Sequence, residues 1–275
     1  MFKAGKIFLI LIALTLPMAS QVEASPGGLV NGSFETGDLT GWTVDGLGAH
    51  VEVLQSSNFA PEIAPPEGSY SALLSTGPDE INSTPGPDLD GNTYPDSDTA
   101  TLSQTFTFLA SEIPATLSFQ WSFLTSEVTG PAVSYDDFFM VTLNEIDILH
   151  GSVPGATNFT SPFADVSALD GTIYFVTSSG LTDSSIYFDG RTAFQHFSYV
   201  INTPGTYTLK FLVADQYNHY GDSGLLIDDI NLLSPVAVGG EAYPVNKLRI
   251  LAPWVALTAL LVGGMNWLTL RHRRT

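Results

Sequence analysis

Three groups of side chains in this 275-residue sequence could carry chemistry. Gly221-Asp222-Ser223-Gly224 offers a serine among small residues, the setting of a nucleophilic hydroxyl. That chemistry needs a histidine base held by a buried acid, and His50, His150, His196 and His219 have no recognisable partners. A turn before the last strand accounts for the same four residues. Asp88-Leu89-Asp90-Gly91-Asn92 has the opening spacing of a calcium loop, but no Glu follows at the twelfth position and no helices flank it. It reads as part of a solvated loop carrying Asp79, Glu80, Asp88, Asp90, Asp96 and Asp98, kept out of the sheet by Pro78, Pro85, Pro87 and Pro95 and by its like charges. Asp228 shares the alternation parity of Leu226, Ile230 and Leu232. If that face is inward, its carboxylate needs a cation or several hydrogen bonds, and Asp229 points outward.

Charge narrows the partners. The chain carries 28 acidic and 9 basic residues, a net charge of −19, and between Ser25 and Pro235 only Arg191 and Lys210 are basic. Such a surface repels nucleic acid and anionic lipid and attracts cations. A composition 44% hydrophobic and 11% aromatic indicates a packed core rather than disorder. The absence of cysteine excludes thiol catalysis and cysteine metal sites, so stability must come from the core, from bound metal, or from both. No phosphate-cradling glycine loop or histidine cluster is present, and no carboxylate pair carries a motif for glycoside hydrolysis.

The two ends frame one domain. Lys3 and Lys6 precede the apolar run Ile7 to Leu16, and Val22-Glu23-Ala24 suits cleavage after Ala24, so residues 1–24 read as a secretory signal peptide. Residues 25–235 form the ectodomain and 236–249 a polar link. Residues 250–270 carry no charge and, at ~1.5 Å per helical residue, reach roughly 30 Å, enough for a transmembrane helix. Arg271, Arg273 and Arg274 in the basic end 271–275 should stay cytoplasmic. The expected location is the cell surface, with the ectodomain outside and the membrane as a partner.

Within the ectodomain the strand signal is plain. Leu102, Gln104, Phe106 and Phe108 alternate with Thr101, Ser103, Thr105 and Thr107, and Leu117, Phe119, Trp121 and Phe123 alternate with Thr116, Ser118, Gln120 and Ser122. Further strands are expected at Val51 to Leu54, Tyr70 to Ser75, Phe138 to Leu143, Ile146 to Leu149, Ile173 to Val176, Phe194 to Ile201, Tyr207 to Val213 and Leu225 to Leu232. Many short strands and no amphipathic helix predict an all-β, antiparallel, jelly-roll-like sandwich.

Several stretches resemble known families. Asn31-Gly32-Ser33-Phe34-Glu35-Thr36-Gly37-Asp38-Leu39-Thr40-Gly41-Trp42 resembles the opening of jelly-roll carbohydrate-binding modules and of bacterial surface domains with interchangeable anchors. Phe123-Leu124-Thr125-Ser126-Glu127 and then Tyr135-Asp136-Asp137-Phe138-Phe139-Met140-Val141-Thr142-Leu143 resemble the pattern of the same surface domains. The resemblance implies a structural calcium (Ca2+) on Glu35 and Asp228, with Ser33, through its carbonyl, and Glu67 as further ligands. It also implies recognition of extracellular polysaccharide, for which Tyr94, Tyr135, Tyr187, Tyr217 and Tyr220 are candidates and Tyr217 and Tyr220 the pair to test. The last residues resemble PEP-CTERM-type tails read by a sorting peptidase, with Tyr243, Pro244, Val245 and Asn246 at the motif position; cleavage there would leave no transmembrane helix. The reading is a non-enzymatic surface protein for adhesion, matrix or polymer recognition, and the alternative is a surface hydrolase acting on polysaccharide.

Overall fold

The computed structural model of the chain describes residues 26–47, 50–77, 89, 96–126, 137–152, 169–177, 186–216 and 221–234. The chain divides into one compact unit ending at Ser234 and a second, Pro235–Thr275. The signal segment, the polar link with Tyr243 to Asn246, the apolar run and the basic end all lie outside the described residues.

The strands are β1 (Thr43–Leu47), β2 (His50–Gln55), β3 (Phe59–Ala60), β4 (Tyr70–Ser75), β5 (Asp96–Phe108), β6 (Ala115–Thr125), β7 (Phe138–Leu143), β8 (Ile146–Ser152), β9 (Tyr174–Val176), β10 (Tyr187–Phe188), β11 (Gly190–Arg191), β12 (Gln195–Ile201), β13 (Gly205–Gln216) and β14 (Ser223–Leu233). One sheet runs β1-β5-β13-β7-β8; a second runs β11-β6-β14-β4-β2, with β12 also on β6. All these pairings are antiparallel. The alternation explains the packing: Leu102, Phe106 and Phe108 of β5, Leu117, Phe119, Trp121 and Phe123 of β6, and Leu209, Phe211 and Val213 of β13 fill the space between the two sheets. Each such side chain taken from water contributes about 1.5–3 kcal/mol before entropy is charged against it.

The opening loop plugs one part of this core. Phe34 and Trp42 lie 5.6 Å apart, Trp42 lies 6.2 Å from Phe211, and Phe211 meets Phe119 edge-on at 5.1 Å. The polar loop between Phe34 and Trp42 is thus tied at both ends by rings buried in the sandwich.

A third, smaller sheet, β10-β9-β3, is an addition to the expected two-sheet sandwich. Phe59, Tyr174, Val176, Ile186 and Phe188 on it and near it pack with Leu54, Leu73, Leu124 and Leu226 from the other face of the second sheet. That sheet is therefore covered on both faces, which is why β4 is buried almost without alternation.

Two expectations are corrected. Asp96 and Asp98 are not in a solvated loop: both are buried and belong to β5, where Asp96 pairs with Gln216. Asp228 is buried as expected, but not on the face of Ile230 and Leu232. The β14–β6 register shifts between Asp228 and Asn231, and Asp229 takes φ 53°. This bulge inserts a residue, so Leu225, Ile227, Ile230 and Leu232 share the main core while Leu226 belongs to the cluster on the opposite face. The parity argument fails at the bulge, and Asp228 falls with Leu226.

Candidate functional site

At the bulge, the opening loop and the entry to β4 meet the last strand. The Ile230 N–H donates to the Gly32 carbonyl at 3.0 Å, and a Cβ on Gly32 would come within 2.2 Å of the Ile230 carbonyl oxygen, so only glycine allows this approach. Glu35 Oε1 accepts the N–H groups of Ser69 at 2.7 Å and Tyr70 at 2.9 Å. Asp228 accepts the Asp229 N–H on Oδ1 at 2.6 Å and the Glu67 N–H on Oδ2 at 3.0 Å. Burial pushes the Asp228 carboxyl up to about 7, outweighing the two N–H donors that favour its charge.

Of the four expected metal residues, Glu35, Glu67 and Asp228 are thereby linked through the segment 67–70, while Ser33 is half-buried beside Gly32. Glu67 enters through its backbone N–H; its side chain is exposed. Among the described residues no three acidic or histidine side chains form a ready cluster for a metal. A cation here would rest on two carboxylates, with backbone carbonyls and water supplying the remaining oxygens.

The opposite end of β14 accounts for Gly221 to Gly224. Ser223 is buried, and its Oγ donates to Asp137 Oδ2 at 2.7 Å and lies 2.9 Å from Thr125 Oγ1. Asp222 accepts the Tyr187 N–H at 3.1 Å, and its carboxylate fills the space a Cβ on Gly77 would need, 2.1 Å from Oδ1. These are contacts of a strand end, as the turn reading expects, although Ser223 and Gly224 already belong to β14. Nearby, Asp215 is held well above the usual carboxylate range, first by burial and then by Asp137 and Asp98.

The aromatic candidates divide sharply. Tyr94, Tyr135, Tyr217 and Tyr220 lie outside the described residues, as does Glu127. Tyr187 is described and is 40% exposed on the small sheet, directly opposite Phe175, which is 45% exposed. Their ring centroids are 6.4 Å apart with 34° between the planes. Tyr174, Val176 and Phe188 on the same strands point the other way, into the core, so strand alternation forces Phe175 and Tyr187 outward together. The exposed Ala60, on the third strand of that sheet, pairs with Phe175 and leaves the rings uncovered on that side. The sequence reading named Tyr187 but missed Phe175. The missed signal was the parity of Ile173 and Phe175, two large apolar residues opposite Tyr174 and Val176.

No protein-family model matches the chain, and no curated protein matches it in sequence. Among solved structures it is similar to the module TmCBM61 in complex with β-1,4-galactotriose, at 17% identity over 76% of this chain and 99% of that one, TM-score 0.39. It is similar to the CBM22-1 xylan-binding domain of Paenibacillus barcinonensis Xyn10C, at 12% identity over 74% and 90%, TM-score 0.32. It is also similar to a CBM28 module specific for non-crystalline cellulose, at 12% identity over 76% and 97%, TM-score 0.32. With TM-scores this low the likeness is one of general layout, and the sandwich rests on the strand registers given above.

Proposed function

We propose that this chain is a non-catalytic surface protein whose sandwich recognises an extracellular polysaccharide through Phe175 and Tyr187. The observation that carries the reading is the outward cross-strand ring pair. Two large apolar faces in water cost free energy that the apolar face of a pyranose would relieve by stacking, while the hydroxyl edges of the sugar stay solvated. A hydrolase is less well supported. Glycoside cleavage uses two carboxyls that flank a bound sugar, roughly 5–9.5 Å apart. The carboxyls of Asp137 and Asp215 lie within hydrogen-bonding reach of each other and are both buried.

Calcium at Glu35 and Asp228 belongs to the same proposal. The donors are all oxygen, as calcium requires, and a buried carboxylate gains most from a cation. Glu35 Oε2 and the second lone pairs of Asp228 are the acceptor positions left over. The ion would tie the opening loop to the last strand.

Export and display complete the proposal, through the signal segment 1–24 and either a retained span at 250–270 or removal by a sorting peptidase. The intact mass of the native protein reads this: a mass ending within Tyr243 to Asn246 supports processing, and one retaining Thr275 supports a permanent anchor.

The functional test is affinity electrophoresis of the full chain in gels containing β-1,4-galactan, xylan or amorphous cellulose, with reducing ends assayed in parallel. Retardation by at least one polymer without release of reducing ends is expected. Release of reducing ends, or migration unchanged across the panel, would contradict the reading.

A further inference from the structure

The end of the sandwich away from the Asp228 bulge carries an arrangement the proposed function does not use. β5, β13 and β7 are neighbours in the first sheet, and Val213 pairs with Ala100 on one side and Phe139 on the other. Ala100, Val213 and Phe139 all face the main core. Two residues beyond each of them, at the same end, stand Asp98, Asp215 and Asp137, and all three are buried. The β13–β5 register shifts between Ala214 and Gln216, and at this irregularity Asp215 lies within hydrogen-bonding reach of Asp137, just before β7, and feels the charge of Asp98 on β5.

The second sheet closes over these carboxyls. Ser223 donates to Asp137 at 2.7 Å and lies beside Thr125, and the Thr76 hydroxyl bonds both the Ser223 N–H at 2.9 Å and the Asp215 carboxyl. Asp215 lies within hydrogen-bonding reach of Asp137, yet its Oδ1 accepts no hydrogen bond and the residue is only 4% exposed. A sealed carboxylate oxygen next to a second carboxyl needs positive charge, supplied by a shared proton or by a cation.

Lysine and arginine cannot supply it. Arg191, one of the two such residues between Ser25 and Pro235, lies over the Tyr174 ring at 5.5 Å. The other, Lys210, is at mid-strand in β13 opposite Ser103 and Thr142.

We infer that Asp215 and Asp137, with Asp98 beside them, bind a divalent cation, calcium, between the two sheets at this end of the sandwich. The donors are all hard oxygens and come from flexible side chains, which favours calcium over magnesium with its strict octahedron. No three of these side chains yet stand in a closed shell, so the ion arrives with water and draws the carboxylates around itself. Ser223, which donates to Asp137, lies five residues from Asp228 along the last strand, about 16 Å, so this site is separate from the one at the bulge.

The test is calorimetric titration of CaCl2 into the chelator-stripped full chain at pH 7.5, in a Glu35→Gln/Asp228→Asn background that disables the bulge site. One equivalent of calcium should still bind, and adding Asp215→Asn should weaken it at least tenfold with an unchanged far-UV spectrum. Asp137→Asn, on the neighbouring strand, should do the same and serves if Asp215→Asn does not fold. No binding in the Glu35→Gln/Asp228→Asn background, or binding indifferent to both aspartate changes, would overturn the inference. Failure of the bulge site reads differently: the wild type and the Glu35→Gln/Asp228→Asn chain would then bind equal numbers of ions.

Discussion

Stripped of calcium, the protein should melt at a higher temperature at pH 5 than at pH 8, and saturating calcium should remove or reverse that order. The sign follows from Asp228, whose carboxyl titrates near 7 in the folded chain against 3.8 in its ordinary state. A folded-state value raised above the unfolded one means that the folded protein holds its proton more tightly. No penalty is felt below about pH 4; it grows as pH rises toward 7 and is complete above that. About a third of the penalty is already felt at pH 5, so the difference between pH 5 and pH 8 is about 2.7 kcal/mol, which for a domain of this size corresponds to roughly 5–11 °C in melting midpoint. Asp215 shifts in the same direction. Calcium binds the ionised carboxylates, so at pH 8 it should return about 2.7 kcal/mol at a concentration one hundred times its Kd. Asp228→Asn should reduce the calcium-free pH dependence, because the amide stays neutral throughout, and leave the part that Asp215 contributes. A melting midpoint indifferent to both pH and calcium would contradict this account of the bulge.

Replacing both Phe175 and Tyr187 with alanine should weaken polysaccharide binding about a hundredfold and leave the fold intact. If a stacked sugar covers ~50 Å² of each ring, each contact is worth ~1.3 kcal/mol, close to tenfold in affinity. Each single substitution should therefore cost about tenfold. The fold should survive because both rings are substantially exposed, whereas Tyr174, Val176 and Phe188 hold the small sheet to the body of the protein from the other face. Measuring Kd for the wild type and the three variants on one oligosaccharide decides the point. Equal affinities would place the ligand elsewhere.

The two main sheets were legible because their strands are long and patterned. Leu117, Phe119, Trp121 and Phe123 alternate over enough residues to fix the inward face of β6, and the observed burial follows it. The small sheet was not legible as a sheet. Phe59–Ala60 and Tyr187–Phe188 are two-residue strands, shorter than any window in which a period can be read. Its existence also decides which exposed aromatics matter, so the ring pair escaped with it. Asp228 was found for a reason that was half correct. Burial of a carboxylate was legible from an apolar strand, but the face was not, because the bulge at Asp229 depends on a positive φ that an aspartate rarely adopts. Composition alone places Asp96 and Asp98 in a loop. Their place in β5 depends on pairing with β13, more than a hundred residues away, and on a closed polar end that no local pattern records.

The most direct measurement of the central claim is nuclear magnetic resonance of the protein with labelled phenylalanine and tyrosine rings, titrated with the oligosaccharide that binds. The ring signals of Phe175 and Tyr187, assigned by loss in their alanine variants, should shift together along one binding curve, while the buried Phe119 and Phe211 signals stay in place. Unmoved Phe175 and Tyr187 signals at saturating oligosaccharide would contradict the claim that this ring pair is the recognition surface.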